Sequence, residues 1–385
     1  MSSAAEDFTR LTAHDNGPGR PPPGWTPGHV VDHSTGKAEF TGLATSEAID
    51  PDEAKILAEM RLDPNEWMIV PGSLQVRKWQ QKAGSDEWCW YYRISVVRRS
   101  KASADISDLI AHLRRRKRIK QAHSGAGGQI WATSDWQIGK EGTVDVVLDT
   151  LGALPDRFEK SWRTAGKPGH ITIVFGGDLV EGCTGMHYGI AQVYSAEMND
   201  REQRAVVREA AMRIIDRAAS LVPDVLVVAV PGNHGENRVT KRDSLPGDNV
   251  DVAAIDDCRW ASDGIEAYEH VRWAVPGEDL AVTVDVAGLP VAVIHGHQLS
   301  GQGKAEAWWD KQAGNHRPAG SASLLLSGHY HSLRVEWLGP RTWIQLPTED
   351  AGSTSYAERA GKGDRRSGSV TVDVVDGRVG NLRLI

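Results

Sequence analysis

Residues 225–236 read VLVVAVPGNHGE. Val225 to Val230 is an uninterrupted apolar run, the length of a buried strand and far too short to span a bilayer. It stops at the turn signal Pro231-Gly232 and hands over to Asn233, His234, Gly235 and Glu236. Alone this is a strand and a turn, but four other apolar runs end in the same way. Gln129–Thr133 leads into Ser134-Asp135-Trp136-Gln137, and Ile171–Phe175 into Gly176-Gly177-Asp178 with Glu181 one turn on. Pro290–Ile294 leads into His295-Gly296-His297, and Ser323–Leu326 into Ser327-Gly328-His329-Tyr330-His331. Further strands are predicted at Thr342–Leu346 and Ser369–Val375, and helices over about 142–162 and 196–221. The second helix has one apolar face, Val206, Ala210, Ile214 and Ala218. Short apolar runs separated by helices of this length predict an α/β sandwich. In such sheets the ligand crevice lies beyond the carboxyl ends of the strands, where these distant polar groups would meet.

Their chemistry is of one kind. Carboxylate, carboxamide and imidazole together suit divalent Mn, Fe or Zn. A single Asp carboxylate can bridge two ions about 4 Å apart, the spacing of two-metal phosphoryl-transfer sites. His329 and His331 alternate, so on extended chain they face the same side. No Ser or Cys nucleophile sits in a recognisable setting, and no glycine-rich nucleotide motif is present.

The chain has 385 residues, 40% hydrophobic and 25% charged, which excludes a wholly disordered, collagen-like or membrane-spanning protein. Cys89, Cys183 and Cys258 are too few and too scattered for a disulfide framework or a zinc finger. Met1 to Asp15 carries charges where a signal peptide needs an apolar core, so a reducing, cytoplasmic setting is expected. Net charge is −7, so contact with a polyanion requires a local basic patch or bound metal.

Residues 1–37, with Gly17-Pro18-Gly19 and Pro21-Pro22-Pro23, are expected to be a disordered lead-in. Residues 38–100 are expected to form a small α+β module. It would hold a helix over Ser46–Arg61, capped by Asp50, and strands at Trp67–Val70, Gln75–Trp79 and Trp88–Val97. Residues 101–128 are expected to be a basic helix and linker. Six of the seven residues in Arg114–Lys120 are Arg or Lys, either a solvated helix end or a contact to a phosphate backbone. The Ser/Gly-rich stretch Ser124–Gly128 marks the boundary of the main domain, 129–385. The stretch 235–275 reads as a long loop.

The ordered set of five motifs resembles the calcineurin-like metallophosphoesterase superfamily, with its D-x-H, G-D-x-x-[DE], G-N-H-[DE], H-G and G-H-x-H pattern. Within it the chain is most similar to phage-encoded double-strand-break-repair endo/exonucleases of the SbcD type. The stretches concerned are Ser134–Lys140, Asn233–Arg238, Ala305–Asn315 with Trp308-Trp309, and Trp343–Tyr356. The resemblance implies an αββα sandwich, two mixed sheets flanked by helices. It implies one metal on Asp135, Gln137, Asp178 and His331, and a second on Asp178, Asn233, His295 and His329, with Asp178 bridging. His234 would be the general acid or a phosphate donor, and Glu181 would orient a ligand. Two features depart from the pattern. Gln137 stands where the family has His, a neutral and weaker ligand, so its ion would be loose or bound only with substrate. The acid after Asn233-His234 also comes one position late, at Glu236.

The expected activity is phosphodiester hydrolysis by metal-activated hydroxide, with two divalent ions, Mn2+ first and Mg2+, Fe2+ or Zn2+ as alternatives. Arg238 is the first candidate for phosphate binding, with a surface salt bridge as its other reading; Lys140 and His187 follow. His297 reads as an exposed or supporting histidine, and Trp308 and Trp309 as packing. A DNA endo/exonuclease comes first. A small-molecule phosphatase or (cyclic) nucleotide phosphodiesterase is the alternative, and a non-catalytic DNA-binding protein with a weakened metal site is the third reading. DNA, a homodimer and a separate ATPase are the expected partners, with no membrane, in the cytoplasm of a bacterial host if phage-encoded.

Overall fold

The computed structural model describes residues 28–32, 37–45, 53–59, 62–64, 67–69, 73–80, 88–98, 110–111, 113–116, 125–140, 144–183, 196–238, 244–350 and 367–385. The chain divides into two compact units, Met1–Lys101 and Ala102–Ile385. Among the described residues no helix is long and apolar enough to cross a membrane.

The first unit holds β1 (Gly28–Asp32), β2 (Lys37–Thr45), α1 (Glu53–Glu59), β3 (Trp67–Ile69), β4 (Gln75–Gln80) and β5 (Trp88–Arg98). The sheet is antiparallel and built on β5, which pairs with β2, β3 and β4. Along β5 burial alternates: Tyr92, Ile94 and Val96 are buried, Arg93 and Ser95 half-buried. Ile56 and Leu57 of α1 close this core with Leu62, Trp67 and Ile69. Asp50 and the first turns of the helix expected over Ser46–Arg61 lie outside the described residues. One expectation changes: Gly28–Asp32, counted in the lead-in, is a strand registered on Lys37–Thr41. Composition had to miss it, because a short strand is held by its partner's backbone rather than by its own apolar pattern.

Among the described residues the second unit contains a two-stranded sheet and two large ones. One has the order β11 (Val271–Ala274), β8 (Asp224–Ala229), β7 (Pro168–Phe175), β6 (Gly125–Thr133), β17 (Val370–Val375), β18 (Arg378–Leu384). Its first four strands are parallel and its last two antiparallel. The other has the order β12 (Ala281–Val286), β13 (Leu289–Ile294), β14 (Leu324–Ser327), β16 (Arg341–Gln345), β15 (Arg334–Leu338), with β13, β14 and β16 parallel. Helices α2 (Val144–Thr164), α3 (Asp200–Leu221) and α4 (Val250–Ser262) accompany the first sheet, and α5 (Ala305–Gly314) the second.

Strand periodicity sorts the side chains into layers. Ile130, Ala132, Val174, Leu226 and Val228 meet Val291, Val293, Leu324, Leu326 and Ile344 between the sheets. Their neighbours Trp131, Ile171, Ile173, Phe175, Val225 and Val227 face α2, α3 and α4. On the far side Ala292, Ile294, Leu325 and Trp343 pack with Leu299, Ala305 and Trp309. This is the mixed α/β sandwich of two sheets flanked by helices. The predicted face of α3 is buried, and Asn199 and Glu202 close its start as a capping box.

One boundary shifts. Strand β6 begins inside the stretch read as linker, because Gly127 takes φ +84 at a register break where a Cβ would lie 2.5 Å from the Val374 carbonyl. Of the basic stretch Arg114–Lys120, only Arg114–Arg116 are described; Leu113 before them is buried in the helix layer, and Arg116 bonds Asp216 at 2.7 Å. The stretch 235–275 is no loop. It carries β9 (Glu236–Arg238) paired with β10 (Ser244–Asn249), then α4 and β11. Val250, Ala254, Ile255, Cys258 and Ala261 make the buried face of α4, mostly small side chains that give a weak apolar signal.

Trp309 is fully buried, its indole N–H donating to the Ala319 carbonyl at 2.7 Å. Trp309→Ala is expected to cost about 3–5 kcal/mol, read as a lower denaturation midpoint. A cost under about 1 kcal/mol would contradict this packing.

Candidate metal centre

The carboxyl ends of β6, β7 and β8 in one sheet and of β13, β14 and β16 in the other converge. Gly328 N donates to the His295 carbonyl at 2.6 Å, and His329 N to both carboxylate oxygens of Asp135 at 3.0 and 3.2 Å. His295 Nδ1 lies 2.8 Å from the Gly176 carbonyl. The structure thus brings together Asp135, Gln137, Asp178, His234, His295, His329 and His331.

Five of these have left-handed backbone: Asp135 (φ 54), Gln137 (φ 47), Asp178 (φ 51), His329 (φ 73) and His331 (φ 54). They are five of the nine non-glycine residues with positive φ among the described residues. Such backbone is uncommon for side-chain-bearing residues and gathers at functional sites. The strand therefore turns sharply at each position and points the side chain across the sandwich mouth. Gly232 makes the closest approach possible: a Cβ there would stand 2.0 Å from Asp178 N and 2.2 Å from its Oδ1. Asn233, buried, follows directly.

One donor set is assembled. Ligand atoms of Asp178, His295 and His329 lie within 4.8 Å of one another. His295 Nε2 is 2.9 Å from Asp178 Oδ2, while its Nδ1 is engaged by the Gly176 carbonyl. Anchoring one ring nitrogen on a backbone carbonyl is how proteins present the other to a metal, so these residues fit a divalent ion. His234 N donates to Asp178 Oδ1 at 2.8 Å, and its ring Nε2 is 3.9 Å from Oδ2. Its Nδ1 is 3.0 Å from the Glu181 carbonyl and 3.4 Å from the Glu181 carboxylate.

Electrostatics follow from this crowding. Burial alone would raise the Asp178 carboxyl, but the cationic rings of His295 and His234 hold it well below its ordinary range. Burial would lower His234, yet Asp178 and Glu181 push it up to about 10. His295 is likewise carried to about 9 by Asp178 against its burial. His297 moves the other way, to about 3, through burial and the charge on His295. Its ring centre is 5.5 Å from that of His295, which places it within the imidazole cluster rather than out in solvent.

The second set differs. Asp135, fully buried, is held by the Ser134 hydroxyl at 2.6 Å and meets His331 Nε2 at 3.1 Å. Gln137 Nε2 lies 3.5 Å from His331 Nε2, and Gln137 Oε1 accepts from Lys140 Nζ at 3.2 Å. Lys140 also pairs with Asp350.

Arg238 is paired with Glu236, Nε to Oε2 at 2.6 Å. His187 lies outside the described residues, as does the end of the Trp343–Tyr356 stretch. Sequence reasoning passed over Asp350, although Thr348-Glu349-Asp350 follows the apolar strand β16 just as the other motifs follow theirs. It also passed over Asp251, a buried carboxylate in the first turn of α4. Asp251 Oδ1 accepts from Leu179 N and Val180 N, both at 3.0 Å, and Oδ2 from Asp178 N at 2.9 Å and Gly232 N at 3.1 Å. Burial and the charge of Asp178 push it up to about 6. Asn249, the cap of α4, was its available signal.

No family model matches the chain, and no curated protein matches it. Similar solved structures include a predicted phosphoesterase from Streptococcus pneumoniae, 12% identical over 66% of this chain and 86% of that one, TM-score 0.29. Wild-type Vps29 complexed with zinc from Entamoeba histolytica is 13% identical over 67% and 98%, TM-score 0.33. An archaeal phosphodiesterase is 13% identical over 67% and 99%, TM-score 0.35.

Proposed function

We propose that the chain is a metal-dependent phosphodiesterase whose substrate is DNA. The observation that carries this reading is the Asp178–His295–His329 donor set with the cationic His234 beside it. Asp178, His295, His329 and Asn233 would hold one divalent ion, and Asp135, Gln137 and His331 with Asp178 a second position. An ion so held offsets charge on phosphate oxygens and lowers the pKa of water. The chain's own contribution is a proton. His234, pushed up to about 10 by Asp178 and Glu181 against its burial, is placed to donate to the leaving oxygen. Glu181 holds its Nδ1, so Nε2 is the atom that faces the reaction.

DNA as substrate is supported by exposed cations on each unit, Arg114 and Arg115 on one and Arg77 and Lys78 on the other, with Lys78 Nζ 5.3 Å from the Trp90 ring centre. A homodimer or a separate ATPase partner belongs with that reading. One observation favours small diesters instead. A cavity of about 670 Å³, the size of a small-ligand site, is lined by Trp273, Gln298, Trp308 and Arg317. Gln298 bonds Gly296 N, one residue from His295, at 2.8 Å.

Hydrolysis of bis-p-nitrophenyl phosphate and of labelled single- and double-stranded DNA, with Mn2+, Mg2+ or chelator, tests the proposal. Metal-dependent cleavage of DNA is expected. Cleavage of the small diester alone would favour the cavity reading, and silence on both would remove the enzymatic one.

A further inference from the structure

The two donor sets differ in what already engages their ligand atoms. At the Asp178 end, ligand atoms of Asp178, His295 and His329 lie within 4.8 Å of one another. At the Gln137 end, the carboxamide oxygen that a second ion would need already accepts from the Lys140 ammonium at 3.2 Å. That ammonium is anchored by Asp350, whose side chain is 1% exposed. Asp350 is itself fixed: its N–H donates to Thr348 Oγ1 at 2.9 Å, and Thr348 Oγ1 donates to the Asp135 carbonyl at 2.6 Å. A chain of contacts therefore runs from Asp135 through His331, Gln137 and Lys140 to Asp350. Lysine is a compact, strongly hydrated point charge on a flexible stem. Held between a neutral oxygen and a carboxylate, it sets a positive charge against the carboxamide oxygen of Gln137.

We propose that Lys140 is a built-in cation for the Gln137 end of the centre. The resting protein then binds one divalent ion tightly, on the Asp178–His295–His329 set, and a second ion enters only by displacing the ammonium from Gln137. A divalent ion approaching Gln137 meets both the repulsion of Lys140 and the weaker donor power of a carboxamide. The inference rests on the metal centre proposed above.

The test is Mn2+ titration of the full chain, read by equilibrium dialysis and electron paramagnetic resonance. Wild type is expected to bind one Mn2+ with the spectrum of an isolated ion, and a second at least about 100-fold more weakly. Lys140→Met is expected to tighten the second ion at least about tenfold and to produce the spectrum of two coupled ions. Lys140→Gln, which keeps a polar partner for Asp350, should act in the same direction. Two ions of comparable affinity in wild type would overturn the inference without any variant. An unchanged affinity ratio in both variants would overturn the role of Lys140. No bound Mn2+ at all would overturn the metal centre as well, so the two readings fail separately.

Discussion

Asp178→Asn should lower metal-dependent diester hydrolysis by about three orders of magnitude while leaving the fold in place. The side chain is fully buried, and its neighbours are matched to a carboxylate. Asparagine preserves the shape and, through its single oxygen, the acceptor for His234 N, bonded to Oδ1 at 2.8 Å. What it removes is the negative charge that sits 2.9 Å from His295 Nε2 and 3.9 Å from His234 Nε2. That charge is shared between holding an ion and holding His234 protonated, so its loss strikes both the electrostatic and the proton-donating parts of the reaction. Losing several kcal/mol of transition-state stabilisation corresponds to about 10³-fold in rate. The measurement is kcat at saturating Mn2+, with circular dichroism and thermal unfolding as the check on folding. Activity within tenfold of wild type would remove Asp178 from the centre of the mechanism.

Asp251→Asn is expected to do the opposite kind of damage, to stability first. Asp251 ties the loops after β7 and β8 together through four backbone N–H groups. An asparagine has one oxygen, so two of those amides would face an NH2 group instead. Leaving a buried donor unsatisfied costs about 1–3 kcal/mol each, which sets the expected loss at roughly 3 kcal/mol or more. The loop that carries Asp178 would loosen with it, and Mn2+ affinity should fall by about 10–100-fold, the usual consequence of disturbing what orients a ligand. Denaturant unfolding and Mn2+ titration read the two effects independently. A variant as stable as wild type would show that the four hydrogen bonds are dispensable.

Much of this was legible in the sequence because it follows from periodicity. Val225–Val230 and Ile171–Phe175 announce themselves as buried strands, and the polar residues that follow them must emerge at one edge. The layered sandwich and the convergence of five loops are consequences of that pattern. What escaped was held by tertiary structure rather than by pattern. The helix α4 is built on small side chains whose apolar signal is weak. Asp251 falls in a stretch that reads as loop, and its role shows only when the loops after β7 and β8 close over it. Lys140 reads as a secondary candidate for phosphate binding, and only the fold places Asp350, 210 positions away, against it. The strand Gly28–Asp32 shows the same limit in miniature, since its partner and not its composition makes it a strand.

The left-handed backbone at Asp135, Gln137, Asp178, His329 and His331 bears on how such a protein could be engineered. Each of these conformations costs on the order of 1 kcal/mol or more for a residue with a side chain, and glycine would relieve most of it. A library selected for thermal tolerance alone should therefore enrich glycine at His329 and His331, whereas Asp135 and Asp178 also accept the backbone N–H groups of His329 and His234 and would be kept. The positions that such a selection erodes first would trace the outline of the active centre without any substrate being known.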